Sequence, residues 1–84
     1  MCIADCLGRV WGNGGAIMAG GTSTPNTFNE HLCIQRCLDQ EDCLGLNWHE
    51  DSRQCSLVTI RGTITTGHTE WVFEQVEYKM CPNG

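Results

Sequence analysis

The 84 residues carry a formal charge of −5, and the permanent cations Arg9, Arg36, Arg53, Arg61 and Lys79 are scattered along the chain. That distribution argues against nucleic acid as a partner and weakens heparin, since phosphate backbones and sulfated glycans are held by clustered cations. A chain of this length hides only about 60–65 % of the surface its unfolded form exposes, so its core alone is marginal and needs disulfides, a metal or oligomerisation. Seven cysteines are the obvious supplement, at a density typical of secreted scaffolds and uncommon in reduced cytosol unless metal is bound. No apolar run approaches the ~20 residues that span a bilayer, so membrane insertion is not expected.

The N-terminus, Met1-Cys2-Ile3-Ala4-Asp5-Cys6, has neither the basic start nor the apolar run of a secretory signal. The cysteine density still points outside the cell, so a signal or a larger parent chain is expected to precede Cys2. From Gly8 to Gly21 small residues dominate; they suit a short strand around Val10 and Trp11 with tight turns beside it, and not a helix. Thr22-Ser23-Thr24-Pro25-Asn26 reads as a turn cluster, and Thr27-Phe28-Asn29-Glu30 has the T-x-x-E form of a capping box, which predicts a helix over about 28–40. That helix ends among Asp39, Glu41 and Asp42, carboxylates that oppose the negative end of its dipole. Cys33 and Cys37, four residues apart, share one helical face and can tie it to whatever lies beneath.

Leu44, Leu46 and Trp48 alternate with Gly45, Asn47 and His49, the period of a half-buried strand. Glu50 to Gln54 is a polar loop and Cys55 to Ile60 a second β-rich run, so 44–60 reads as an antiparallel hairpin. Residues 63–66 and 71–78 give two further strands around Gly67. The expected architecture is α+β: a small disulfide-rich domain over residues 1–84, one α-helix packed on an antiparallel sheet, with no internal repeat.

Three uses compete for the cysteines. Zinc knuckles favour paired C-x2-C or a C-x2-4-C with H-x3-5-H, whereas the spacings here are x3, x5 and x11, and His31, His49 and His68 lack partners at the right separation. A nucleophilic thiol needs a base beside it; His49 with Cys55 and His31 with Cys33 are the pairs to try. No serine triad, carboxylate pair or phosphate loop competes, and Gly12-Asn13-Gly14-Gly15 lacks the lysine a phosphate loop requires. Neither a metal nor another cofactor is expected. Disulfide staples are favoured, with the pairing open on sequence alone.

The pattern Cys33-x3-Cys37-x5-Cys43-x11-Cys55 followed by Ser56-Leu57, with one cysteine upstream and one near the C-terminus, resembles the PAN/apple domain family. Thr24-Pro25-Asn26 before the helix and Cys43-Leu44-Gly45-Leu46 are also similar to the apple modules of blood contact-phase zymogens. The resemblance implies disulfides Cys33–Cys55, Cys37–Cys43 and Cys6–Cys81, the last joining the termini. Cys2 departs from the pattern: it is left for an intermolecular bond, for a homodimer, or for replacing Cys6 opposite Cys81. The resemblance further implies a secreted, non-catalytic adhesion module, with a protein ligand first, a glycan second (as in some parasite lectins), and inhibition of a protease or receptor as a further use of the same scaffold.

For protein binding the sequence offers Ile17, Met18 and Val72 as apolar contacts, and Asp39-Glu41-Asp42 and Glu70-Glu74-Glu77 as acidic groups for a basic partner. For sugar binding, an aromatic face with polar groups beside it is needed. Trp48-His49-Glu50-Asp51 with Arg53 offers that combination, and His68-Thr69-Glu70-Trp71 repeats it. Trp48 and Trp71 lie in strand patterns where the core competes for them, so Trp11, among glycines, is the least constrained.

Overall fold

The computed structural model describes residues 7–24 and 27–80. Cys2, Cys6 and Cys81, and with them the expected termini-joining bond, lie outside the described residues. The elements in chain order are β1 (Leu7–Gly14), β2 (Ile17–Met18), β3 (Thr22–Thr24), α1 (Glu30–Asp39), β4 (Gly45–His49), β5 (Gln54–Val58), β6 (Ile64–Thr65) and β7 (Trp71–Met80). Five strands form an antiparallel sheet in the order β1-β7-β4-β5-β3, and β2 and β6 pair as a separate two-stranded ribbon. The helix covers one face of the sheet and the ribbon part of the other, giving the expected α+β arrangement.

Cys33 and Cys37 point from one helical face into the sheet and are fully buried. Cys33 bonds Cys55 on β5, with Cα atoms 5.7 Å apart, and Cys37 bonds Cys43 just before β4, at 5.3 Å. Together with Leu46 and Trp48 these four cysteines are the core between helix and sheet. A second cluster on the opposite face joins Ala16 and Met18 to Val58 and Phe73.

The structure corrects three sequence expectations. The first is the helix start: it begins at Glu30, and its cap is Asn29, whose side-chain oxygen accepts from the Leu32 N–H at 2.8 Å. Thr27 is buried; its N–H donates to the Arg53 carbonyl and its hydroxyl accepts from Arg36. Both residue types cap well, but Thr27 is taken up by tertiary contacts, which leaves Phe28 exposed before the helix. The second concerns Thr22–Thr24, read as part of a turn, which is an edge strand paired with β5. The third is that β4 is buried on both faces rather than one, because it is the middle strand and the ribbon covers its polar side. Asn47 is satisfied there by the Met18 backbone, accepting from its N–H at 2.9 Å and donating to its carbonyl at 2.8 Å. Gly45 on the same strand allows close approach: an added Cβ would lie 2.7 Å from the Glu74 carbonyl oxygen and 2.9 Å from the Phe73 ring.

A β-bulge shapes the other end of the sheet. Arg9 pairs with Tyr78 but Val10 with Val76, so Glu77 has no opposite number. An extra residue inverts the alternation of side chains beyond it, and Lys79 therefore reaches the helix. Its ammonium donates to the carbonyls of Cys37 at 3.0 Å and Gln40 at 2.7 Å. It places a cation on the C-terminal carbonyls of α1, while Arg36, the basic residue of the helix's own last turn, is bonded to Thr27 instead. Desolvation lowers the Lys79 pKa, and the charges of Asp42, Asp39 and Glu41 act against that shift. Among the described residues no helix is long and apolar enough to cross a membrane.

Candidate functional site

Three surface regions carry chemistry. The first is the tip of the β4–β5 hairpin with the start of β7, where several sequence-selected residues meet. His49 pairs with Trp71 across the sheet, its ring tilted against the indole with centroids 4.7 Å apart. Its Nε2 lies 3.0 Å from a Glu70 carboxylate oxygen, and its Nδ1 lies 2.8 Å from the Ser52 hydroxyl and accepts from the Ser52 N–H. A backbone N–H at Nδ1 places the ring proton of neutral His49 on Nε2, where it donates to Glu70. Ser52 was not legible as a partner, because a three-residue separation across a turn has meaning only once the turn is formed.

Trp48 is a correction. Its side chain is buried at 2 % exposure, packed among the disulfides, and its Nε1 donates to Glu50 at 2.9 Å. No sugar ring can stack on it. Asp51 and Arg53 are exposed on the turn, where Arg53 adopts a left-handed φ of 54°. His68 belongs to a neighbouring loop: its Nε2 lies 3.1 Å from the Thr65 hydroxyl and its N–H donates to the Gly15 carbonyl.

The second region is the open face of β1 and β7, away from the helix. Trp11 is 62 % exposed there and sits opposite Gln75 in the β1–β7 pairing. Gln75, Glu77 and Trp11 line a shallow depression of about 180 Å³. The indole thus offers a free apolar face with an amide and a carboxylate beside it.

The third region was not found from sequence. A half-open cleft of about 280 Å³ lies where β4 begins beside the bulge of β7. Its floor includes Met18 and Phe73, and its rim Glu41, Leu44, Arg61 and Tyr78. Leu44 and Tyr78 are exposed large hydrophobics at its mouth. Met18 is therefore floor rather than a surface contact, while Ile17 and Val72 are half-buried. Arg61 gave no signal in the sequence, being one lone cation in a loop.

The expected acidic stripe Glu70-Glu74-Glu77 is not one face. Glu70 binds His49, Glu77 lies 3.5 Å from Arg9 in a solvent-exposed pair, and Glu74 is buried. Alternation along the strand and the bulge at Glu77 send the three in different directions. Among the described residues no three His, Cys, Asp or Glu side chains are grouped to hold a metal ion.

The helix clamped to an antiparallel sheet by two nested disulfides is matched by the family comparison: the model described as PAN domain matches residues 13–81. The chain belongs to the PAN domain family. No curated protein and no solved structure matches it. PAN domains are generally non-catalytic modules that bind proteins or carbohydrates, and their disulfides are typical of extracellular proteins. In this PAN domain the disulfides lie in the core, so the groups that remain for recognition are the surface regions above.

Proposed function

We propose that this PAN domain is a secreted, non-catalytic recognition module for a protein ligand, and that it docks through the cleft beside the β7 bulge. The observation that carries the reading is the cleft's make-up: an apolar floor at Met18 and Phe73, exposed Leu44 and Tyr78 at the mouth, and Glu41 and Arg61 on the rim. Apolar centres with charged rims are how proteins grip one another. Immobilised domain would be used to capture ligands from extracellular fluid, comparing wild type with Tyr78→Ala, Leu44→Ala and Arg61→Glu. Loss of a specific captured protein in these variants, with unchanged melting temperature, supports the reading; equal capture by all four proteins refutes it.

A glycan is the second reading, favoured by one feature: the exposed Trp11 beside Gln75 and Glu77, suited to an apolar pyranose face and its hydroxyls. His49, Glu70 and Trp71 at the hairpin tip are a lesser alternative, since Trp71 is already engaged by His49. On a glycan array, selective binding abolished by Trp11→Ala promotes the lectin, and a blank array demotes it. Inhibition of a protease or receptor would use the same cleft. In this reading residues 1–84 form one domain, with Cys6–Cys81 as a third disulfide and Cys2 as the thiol for an intermolecular bond or homodimer. Peptide mapping under non-reducing conditions tests both assignments.

A further inference from the structure

Glu74 sits in the middle of the sheet, between Gly12 of β1 and Leu46 of β4, on the face covered by the helix. It is 6 % exposed, and its Oε2 is buried without a hydrogen-bond partner. The side chain that reaches it is another acid, Glu30 of the first helical turn, placed where a hydrogen bond between the two carboxyls can form. The strand neighbours of Glu74 are a glycine and a leucine, and the cations of β1, the helix and β7 are engaged elsewhere: Arg9 beside Glu77, Arg36 on Thr27, and Lys79 on the carbonyls of Cys37 and Gln40. Two ionised carboxylates have no donor between them, so a hydrogen bond joining them requires that one holds a proton.

We propose that Glu30 and Glu74 share one proton that latches the first turn of α1 onto β7, making the helix-to-sheet contact a pH-sensitive one that acid tightens and alkali loosens. The inference goes beyond the recognition reading, but the two regions adjoin: Phe73 and Gln75, on either side of Glu74, line the cleft on the opposite face. Burial first, then the hydrogen bond and charge of Glu30, push the Glu74 carboxyl from 4.5 up to about 8. In that interval the folded protein holds a proton that the unfolded chain releases. The latch therefore contributes fully below 4.5, weakens as pH rises, and is gone above about 8. In the limit of one whole proton the folding equilibrium constant falls about tenfold per pH unit.

Chemical denaturation of the disulfide-intact protein from pH 5 to 9 tests this, comparing wild type with Glu74→Gln. The amide keeps a permanent donor, so Glu74→Gln should lose the component of slope due to one proton and match or exceed wild type at pH 8. His31, His49 and His68 contribute to both curves and cancel in the difference. Identical pH slopes for the two proteins would overturn the proposal. A measurement on wild type alone covers the case in which the variant does not fold: carbon-13 titration of the glutamate carboxyls. One resonance with a midpoint near neutral or above, perturbed by Glu30→Gln, supports the latch; every glutamate titrating in the ordinary acid range overturns it.

Discussion

Asn47 and Met18 are joined at both ends of one amide: the side chain of the first closes two hydrogen bonds with the backbone of the second, 29 residues away in sequence. In effect Asn47 acts as a short strand for the β2–β6 ribbon. This seats Met18 and Ala16 on Phe73 and Val58 and gives the cleft its floor. Replacing Asn47 by Leu leaves a buried N–H and a buried carbonyl unpaired, which costs about 2–3 kcal/mol. Urea denaturation measures it; a loss under about 0.5 kcal/mol, the scale of a surface change, would show that the amide is dispensable.

The two disulfides differ in the loops they close. Cys33–Cys55 has a sequence separation of 22 and Cys37–Cys43 of 6, so loop entropy assigns about 3.4 and about 2.2 kcal/mol to them. The paired substitution Cys33→Ser with Cys55→Ser should therefore destabilise more than Cys37→Ser with Cys43→Ser, and full reduction should unfold the domain. Far-ultraviolet circular dichroism during reduction reads this directly; a native spectrum and melting point in the reduced protein would contradict it.

Lys79 stands where the bulge sends it, on the last carbonyls of the helix. Lys79→Met removes two charge-assisted hydrogen bonds and the favourable cation at the helix C-terminus, so a loss of about 1–2 kcal/mol is expected. Removing the bulge is the sharper experiment. Inserting one residue between Arg9 and Val10, opposite Glu77, restores plain alternation along β7, turns Lys79 away from the helix, and should lower stability by at least as much as Lys79→Met.

At the other end of the helix the roles of Thr27 and Asn29 are separable. Asn29→Ala removes the cap and should cost about 1 kcal/mol, with fraying of the first turn seen as faster amide exchange at Leu32. Thr27→Val keeps that cap but removes the hydroxyl that Arg36 meets, so Leu32 exchange should be unchanged. If instead Thr27→Val frayed the first turn and Asn29→Ala did not, the capping-box reading of the sequence would be reinstated.

Much of this fold is written in local spacing. Two cysteines one helical turn apart declare a buried face, and the alternation from Leu44 to His49 declares a strand whichever neighbours it finds. Neither spacing nor composition could tell that β4 would lie between helix and ribbon. Trp48 and Asn47, on opposite sides of that strand, are therefore both interior. The same holds for the recognition surface. Trp11 is exposed because β1 is an edge strand whose outer face nothing in the described structure covers, and the cleft exists because a single unopposed residue, Glu77, reverses which way β7 points its side chains. Helical and strand periods are properties of neighbours in sequence and were determined there. Burial of Glu74 beside Glu30, the aim of Lys79 and the meeting of Leu44 with Arg61 and Tyr78 depend on strand order and register, which only long-range packing decides.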